Sequence, residues 1–466
     1  MILSELYDLT VDYVRASLRD RGPAWMVSHA LSYDRTTGAV SVCGEKIGAG
    51  FSRIFISGFG KCAPEMARGA IQAMGEAVDS GVLISRDDLN VNDRVRVLAS
   101  SHPVPDERTI ASSSELLRLH TSAPPDSLII CLVSGGGSSL FELPAPGLTL
   151  QDISKTTRLL LNSGASISEI NAVRKRLSSV KGGKLLEMTR ARLVTLAVSD
   201  VLDGGGPADI ASGPTFSDAV FTPEAFSVLE KYELLADIPE AARAAVRDNL
   251  YGTEDGSDSR KDSNPDDSDA LRERSFAGTD REISPNRQKP SFFIVGDSSS
   301  VIRSLEEKFA GAGFNVSIYK KAMTGEMSTE AIEFLETLIA AGEKHTGITC
   351  LIAPAEMPLE VVGEGRGGRN QHFALVCLKI LQNPVYRSTK IAVAALASDG
   401  IEAFTDSAGA FVSLETAVIA EQNNIFAADH LGDFTSYDFF EKVGGHIRFG
   451  PTGHNVNDIV IGFYIN

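Results

Sequence analysis

A run of glycines and serines is the first part of the chain whose residue types and spacing point to chemistry. The stretch SLIICLVSGGGSSLF, residues 127–141, predicts a buried strand that ends in three glycines flanked by serines. Glycine permits backbone conformations in which several N–H groups face one anion, and serine hydroxyls add donors beside them. The pattern predicts phosphate binding by Ser134, Gly135, Gly136, Gly137, Ser138 and Ser139. The alternative is an ordinary glycine turn after a core strand.

A lysine lies inside a second glycine turn, earlier in the chain. Gly58, Gly60 and Ala63 follow a short apolar run with the spacing G-x-G-x-x-A, and a helical pattern begins directly after them. Lys61 lies at the start of that helix, where the helix dipole and the ammonium would both favour a phosphate. A surface lysine at a helix start would give the same pattern.

Carboxylates and arginines follow other predicted strands. Asp200 ends the apolar run RLVTLAVSD, and Asp399 ends KIAVAALASD. In open α/β sheets ligands bind outside the carboxyl ends of the strands, so either carboxylate is placed to handle Mg²⁺ or a transferred proton. Arg366 and Arg369 lie in a glycine-spaced loop just before a predicted helix, which is a typical arrangement for binding an anion.

The densest basic cluster of the chain lies in SEINAVRKRLSSVKGGKLLEM. Asn171, Arg174 and Ser178 fall on one face of a predicted helix, and Lys181 lies on the following turn, just before a pair of glycines. The pattern indicates a second loop that faces an anion. A solvated charged helix face is the alternative.

The elements that must position these residues are those of an α/β protein with two domains. A chain of 466 residues exceeds what one core usually supports, and 43% hydrophobic residues with 42 glycines suit a loop-rich α/β protein. Residues 252–290 are polar throughout and predict a disordered linker or insertion, since they contain hardly any large apolar side chains. We therefore expect domains at residues 1–251 and 291–466.

The charge balance and the cysteines restrict partners and compartment. The chain has 61 acidic and 44 basic residues, a net charge of −17, and no Lys/Arg-rich block. Nucleic acid and anionic membranes are therefore poor partners. The five cysteines show no paired metal spacing, and neither a targeting segment nor a membrane span is predicted. We expect a cytoplasmic protein; the sequence does not predict its oligomeric state.

Several motifs together resemble the glycerate kinase family whose C-terminal part is called the MOFRL domain. They cover nearly the whole chain in the family's order: GFGKCAPEMA, SHPVPDE, SGGGSSL, INAVRKRLSSVKGGKL, SDV, IASGPT, GRGGRNQHFAL, SDGIEAFTDSAGA and PTGHNVNDI. The resemblance implies a Rossmann-like N-terminal domain with a parallel sheet, a smaller α/β MOFRL domain, and an active site in the cleft between them. It also implies phosphorylation of D-glycerate by ATP with Mg²⁺, with 2-phosphoglycerate as the favoured product.

The resemblance implies roles for individual residues of this chain. Lys61 and Arg369 would clamp the transferring phosphoryl group, and Asp200 would hold the metal. Asp200 or Asp399 would orient the glycerate hydroxyl or accept its proton. The other implied contacts are with phosphate, from Gly58, Gly60 and the loop 134–139, and with glycerate, from Asn171, Arg174 and Lys181.

One motif departs from the family pattern, and two alternative functions stay open. Where the family usually has SGGET, this chain has APAEM at residues 353–357, so two glycines are lost and Pro354 enters. This change predicts a lost or reshaped backbone phosphate contact, and it motivates a non-catalytic homologue that binds nucleotide or hydroxy acid. The other alternative is an NAD(P)-dependent hydroxypyruvate reductase, favoured by the G-x-G-x-x-A turn with Asp87 and Asp88 near the distance expected of a ribose-binding acid.

Overall fold

The structure is a computed structural model in which two six-stranded sheets form the framework. It describes residues 3–86, 90–199, 206–216, 224–247, 291–319, 322–359, 361, 365–386, 389–403 and 405–466. The predicted linker 252–290, Asp87, Asp88 and Asp200 lie outside the described residues.

The N-terminal half contains a small antiparallel sheet and a large parallel one. The strands are β1 Leu31–Asp34, β2 Ala39–Val42, β3 Glu45–Gly48, β4 Ile54–Phe59, β5 Ser80–Ser85, β6 Val95–Ala99, β7 Leu128–Val133, β8 Arg192–Val198 and β9 Ser291–Gly296. Strands β1, β2 and β3 form the small sheet, and the large sheet has the order β6-β5-β4-β7-β8-β9. Every residue of β4 and β7 is buried, as expected for parallel strands covered by helices on both faces.

Helices connect and cover these strands. They are α1 Leu3–Arg21, α2 Pro23–Ala30, α3 Ala63–Met74, α4 Glu107–Ser122, α5 Gly137–Leu140, α6 Leu150–Asn162, α7 Ile167–Leu177, α8 Lys184–Met188, α9 Ala225–Lys231 and α10 Glu240–Arg247, with short 3-10 turns at Gly75–Ala77 and Ile210–Ser212. Asp106, Thr149 and Ser166 begin α4, α6 and α7 with capping boxes, which satisfy backbone N–H groups that have no partner within the helix.

The strand order of the large sheet reverses between β4 and β7. From β4 the chain moves outward to β5 and β6, whereas from β7 it moves outward in the other direction to β8 and β9. Ligands of open α/β sheets bind at such a switch point, outside the carboxyl ends of the two central strands. The loops that follow β4 and β7 contain Lys61 and the three glycines Gly135–Gly137, so the topology brings the two predicted phosphate sites to the same place.

The C-terminal half forms a second, mostly antiparallel sheet. Its strands are β10 Asn315–Ile318, β11 Ile348–Ala355, β12 Lys390–Ala397, β13 Gly409–Ser413, β14 His446–Ile447 and β15 Asp458–Ile465, in the order β10-β11-β15-β12-β13-β14. Its helices are α11 Ser298–Gly311, α12 Met327–Gly342, α13 Arg369–Leu381, α14 Leu414–Gln422, α15 Ala427–Gly432 and α16 Ser436–Val443, with a 3-10 turn at Pro384–Tyr386. The predicted fold, a Rossmann-like parallel sheet followed by a smaller α/β unit, is confirmed.

The last strand lies between two strands that precede it in the sequence. Strand β15 is antiparallel to both β11 and β12, so its first residue meets their carboxyl ends. In the register of the sheet, Asp458 lies opposite Ala355 on one side and Ala397 on the other. The amino end of β15 and the residues after β11 and β12 therefore form one edge of the second sheet.

The two halves share packing elements. Strand β9 follows the polar segment 252–290, yet it pairs in parallel with β8 of the first sheet. Helix α1, at the start of the chain, contacts α11 and β12, and the Tyr7 hydroxyl donates a hydrogen bond to the His446 carbonyl at 2.8 Å. The predicted domain boundary at residue 291 assigns β9 to the C-terminal domain, whereas in the structure β9 belongs to the parallel sheet of the N-terminal half.

Within the described ranges, no helix has the length and apolar character needed to cross a membrane.

Candidate active site

The loop after β4 is fixed against the loop after β7. The Lys61 backbone N–H donates a hydrogen bond to the Gly135 carbonyl at 2.9 Å, and the Cys62 N–H donates to the Ser134 hydroxyl at 3.0 Å. Gly60 has a φ of +131°, and a Cβ there would overlap Ser134. Glycine is therefore required at this position for the close approach of the two loops. The contacts place Lys61 beside the glycine loop.

The glycine loop turns through a left-handed residue. Gly136 has a φ of +77° and precedes the short helix α5. The N–H groups of Gly135 and Gly136 have no hydrogen-bond acceptor among the residues that the structure describes. Two adjacent N–H groups without an acceptor form the kind of concave donor site that binds phosphate oxygens. The phosphate site predicted here from the sequence stays a prediction, and this geometry fits it.

The serines of this loop differ in their surroundings. Ser134 is buried, and its hydroxyl accepts the Cys62 N–H. The Ser138 hydroxyl lies 2.9 Å from the Ser212 hydroxyl, which in turn donates to Asn171 Oδ1 at 2.9 Å. The Ser139 hydroxyl donates to the Gly136 carbonyl at 3.3 Å. These side chains support the loop, so the backbone N–H groups are its most available donors.

A carboxylate from the second sheet meets Lys61. Asp399 follows β12, and its Oδ2 lies 3.6 Å from Lys61 Nζ. Both side chains are partly buried, with 24% of Lys61 and 17% of Asp399 exposed. The Thr452 N–H donates to the Asp399 carbonyl at 3.0 Å and thus holds the turn in place. The ion pair joins the carboxyl ends of β4 and β12 across the boundary between the two sheets.

Arg369 is held at the start of α13 by carboxylates. Its Nε donates to Asp458 Oδ2 at 2.5 Å, and Nη1 lies 3.8 Å from Glu356 Oε1. Burial opposes the charge of Arg369, but the charge of Asp458 and its hydrogen bond outweigh this effect and raise the pKa of the guanidinium. Arg369 is therefore a permanent cation with a fixed orientation.

Glu402 caps the N-terminus of the same helix, α13. Its carboxylate accepts the backbone N–H groups of Asn370 and Gln371, the latter at 3.1 Å. Burial and the nearby charge of Asp458 raise the pKa of Glu402 to about 8, although the two N–H donors and Arg369 act in the opposite direction. Burial also raises the pKa of Asp458. The two buried carboxyl groups of Glu402 and Asp458 thus lie close to Arg369.

A cavity of about 520 Å³ connects these groups, which come from both sheets. Lys61, Gly136 and His102 line it from the N-terminal half, and Arg369 and Asp399 line it from the C-terminal half. Burial, together with the smaller effect of the charges of Lys61 and Arg86, lowers the pKa of His102 to about 4, so the imidazole is neutral at pH 7. A cavity of this size with convergent charged groups is a candidate active site.

Several predicted site residues lie away from this cavity. Gly58 is inside β4, where a Cβ would meet the Leu132 carbonyl, so it serves strand packing and not phosphate contact. Lys181 is fully buried, and its ammonium donates to Glu142 Oε2 and to the Phe141 carbonyl, each at 2.8 Å. This burial leaves no path for a direct contact of Lys181 with glycerate.

Asn171 is also buried, whereas Arg174 lines a neighbouring cavity. Asp200 lies outside the described residues, so its predicted role as metal ligand stays a prediction.

Three acidic residues of the cavity were not predicted as site residues. Asp458, Glu356 and Glu402 line it together with Asn455 and Asn457. In the sequence, turn chemistry explains the polar segment before β15 adequately. Its place in the cavity becomes visible only in the structure, where β15 lies in the middle of the sheet. The sequence offered two signals for this group: Glu356 is retained within APAEM, and the other four residues fall in the motifs SDGIEAFTDSAGA and PTGHNVNDI.

Comparison with known proteins decides the family. A model described as a domain of unknown function (DUF4147) matches residues 9–247, and the model of the MOFRL family matches residues 349–458. A glycerate 2-kinase from Pyrococcus horikoshii is 31% identical over 97% of this chain and 98% of its own length. The chain belongs to the MOFRL family of glycerate kinases.

Further relatives agree with this membership. The D-glycerate 2-kinase of Thermotoga maritima is 31% identical over 89% of this chain and 91% of its own length. The crystal structure of a glycerate kinase from Thermotoga maritima superposes with a TM-score of 0.74 at 29% identity, covering 99% of this chain and 100% of the other. A relative from Agrobacterium vitis, 33% identical over 87% of this chain and 86% of its own length, carries the provisional name hydroxypyruvate reductase. This chain and the glycerate kinase from Thermotoga maritima thus share the overall fold across their whole length.

Proposed function

We propose that this protein transfers the γ-phosphoryl group of ATP to D-glycerate and that the product is 2-phosphoglycerate. The observation that carries the proposal is the meeting of Lys61 and Asp399, 3.6 Å apart, beside the glycine loop in a cavity lined by both sheets. The names of the relatives, glycerate 2-kinase and D-glycerate 2-kinase, support the substrate and the hydroxyl that is phosphorylated.

Charge neutralisation is the main task of such a site. Phosphoryl transfer passes through a state with charge spread over the phosphoryl oxygens, and it requires alignment more than covalent chemistry. Lys61 and Arg369 face the cavity from opposite sides and supply two positive charges. The N–H groups of Gly135 and Gly136 add uncharged donors, which are preorganised because the loop is fixed against the turn at Lys61. Together these groups would hold the phosphate chain in line with the acceptor.

Asp399 is the proposed proton acceptor. When the glycerate hydroxyl oxygen forms its bond to the γ-phosphorus, the bond between that phosphorus and the bridging oxygen breaks, and ADP leaves. The hydroxyl proton passes to Asp399, whose carboxylate is partly buried beside Lys61. Arg369 would keep its orientation throughout, since Asp458 holds its Nε at 2.5 Å.

Magnesium fits the oxygen donors of this cavity. Mg²⁺ is usually bound by one or two carboxylates together with phosphate oxygens, and it supplies positive charge to those oxygens. Asp200 is retained as the proposed ligand from this chain, because Asp399 is assigned to the hydroxyl proton. In the portion of the chain that the structure describes, no group of three His, Cys, Asp or Glu side chains is placed to hold a metal ion.

The alternative of a nicotinamide-dependent reductase is less well supported. In a dinucleotide turn the pyrophosphate binds to N–H groups at the start of the helix. Here the Lys61 and Cys62 N–H groups already donate to Gly135 and Ser134, so the glycine loop is packed where the pyrophosphate would bind. This contact favours the kinase over the reductase.

The alternatives are separated by assays on the purified chain. We expect ADP release with ATP, Mg²⁺ and D-glycerate in a coupled assay, and no NADH oxidation with hydroxypyruvate. Analysis of the product by NMR should give phosphate on the second carbon. NADH oxidation without ADP release would support the reductase, and nucleotide binding without turnover would support a non-catalytic homologue.

A further inference from the structure

A second cavity adjoins the candidate active site on the side of the N-terminal half. It has a volume of about 580 Å³. It shares His102 and Gly136 with the cavity of the candidate active site, which we call the interdomain cavity because residues of both halves line it. A ligand that extends from one cavity into the other therefore passes directly over the glycine loop. The second cavity lies between α6 and the segment His102–Pro105.

The walls of this cavity are largely apolar. Pro103, Val104 and Pro105 form one side, and Ile153 and Leu161 of α6 form the other. Val104 is 60% exposed and Leu161 is 56% exposed, so the opening presents apolar side chains to solvent. Apolar walls of this kind suit an aromatic ring system. Glycerate, a three-carbon hydroxy acid, has no apolar face to match them.

Glu142, one of the residues that line this cavity, has a buried carboxylate oxygen without a partner in the described part of the chain. Glu142 is 2% exposed, and its Oε2 accepts the Lys181 ammonium. Its Oε1 is buried without a hydrogen bond within the described residues. An unsatisfied buried acceptor is costly, and a hydroxyl donor from a ligand would satisfy it.

A cation lies close by. Arg174 lines the same cavity, where burial lowers the pKa of its guanidinium and the charge of Glu142 acts in the opposite direction. Ser138 and Ser139 of the glycine loop are also exposed to this cavity. Arginine with serine hydroxyls and glycine N–H groups is the usual donor set for a phosphate.

We propose that the second cavity binds the nucleoside and the inner phosphates of the phosphoryl donor, while glycerate occupies the interdomain cavity. The base lies between Val104 and Leu161, a ribose hydroxyl donates to Glu142 Oε1, and Arg174 faces the inner phosphates. This inference rests on the proposed function, because it assigns the two substrates of that reaction to two adjoining cavities. It moves Arg174 from the glycerate contacts implied by the family resemblance to the nucleotide.

Calorimetric titrations with ADP, inorganic pyrophosphate and D-glycerate test the assignment. The double variant Val104→Asn/Leu161→Asn changes two exposed side chains and keeps the charge of the chain. We expect it to weaken ADP binding about tenfold or more and to leave pyrophosphate and D-glycerate binding unchanged, because only the nucleoside loses apolar contact. Val418→Asn is the matched control, since Val418 is 51% exposed on α14 and is not among the residues that line either cavity, and it should change none of the three affinities.

A second variant tests the phosphate contact. Arg174→Met should weaken both ADP and pyrophosphate about tenfold or more and should spare D-glycerate, since it removes a charge and retains the length of the side chain. Weaker D-glycerate binding with unchanged ADP binding in either variant would overturn the assignment. ADP binding that depends on Val104 and Leu161 in a chain that does not phosphorylate glycerate would refute the proposed function and support this site.

Discussion

Replacing Lys61 by Met is the sharpest test of the proposed chemistry. The change removes one positive charge and retains a side chain of similar length beside Gly136 and Asp399. Two unit charges about 4 Å apart interact with about 4 kcal/mol at an effective dielectric constant of about 20. Each 1.4 kcal/mol or so corresponds to about tenfold in rate, so a fully effective charge is worth about 10³ in kcat. Because 24% of the Lys61 side chain is exposed, we expect a loss of about 10²- to 10³-fold.

The assay is ADP release at saturating ATP and D-glycerate, together with thermal unfolding of the same samples. The stability should hardly change, since a partly exposed ion pair contributes about 0–1 kcal/mol. Lys344→Met is the control for removing a lysine, because Lys344 is exposed in the C-terminal half and outside the cavity. If Lys61→Met folds normally and keeps more than about a tenth of the wild-type kcat, the reasoning from charge neutralisation is wrong.

Three further variants address the loop and the residues around it. Lys181→Met should lower the free energy of unfolding by about 3–5 kcal/mol, because Glu142 would remain buried without its counter-ion. Denaturant unfolding measures this loss, and adding Glu142→Gln should recover much of it; an additive second loss would contradict the pairing. Gly136→Ala should cost about 1–2 kcal/mol at its φ of +77°. Its Cβ would also lie 3.1 Å from the His102 ring and 3.2 Å from Lys61 Cγ, so kcat should fall as well, and a fully active variant would argue against this loop geometry. His102→Gln should reduce the loss of stability in acid: the folded pKa of about 4 lies below the ordinary 6.5, so the unfolded chain binds the extra proton and stability falls as the pH decreases from 6.5 to 4. Denaturant unfolding at several pH values measures how the free energy of unfolding depends on pH. The same dependence in His102→Gln and in the wild type would contradict this reasoning.

Much of the N-terminal part of the site was predictable because a simple rule places it. Buried strands that end in glycine, serine or lysine loops bring those loops to one edge of a parallel sheet. Lys61 and Gly135 were predicted as phosphate-binding residues on separate strands, and the structure joins them by a hydrogen bond. The same rule does not tell whether a glycine lies in the strand or in the turn, and Gly58 lies in the strand.

The C-terminal part was less predictable because it depends on strand order. Nothing in the sequence shows that β15 lies between β11 and β12, and only that order places Asp458 beside Arg369. Lys181 illustrates a second limit. A basic run on a helix predicts a charged face, but the partner that buries Lys181 is Glu142, on a loop after a different strand. Local patterns do not encode such long-range pairs.

The change from the family motif at APAEM, residues 353–357, bears on which half of the protein provides which contacts with phosphate. Pro354 lies within β11 and pairs with Ile459, and the residue after the strand is still Glu356, whose Oε2 accepts a hydrogen bond from Asn457 at 3.2 Å. A proline in place of glycine removes a backbone N–H from this edge, so the second sheet offers fewer neutral donors to a phosphate. It instead offers Arg369, which carboxylates hold in place. In the proposed reaction, the glycine loop of the first sheet would then provide most of the backbone contacts with phosphate, and the second sheet would provide an oriented charge.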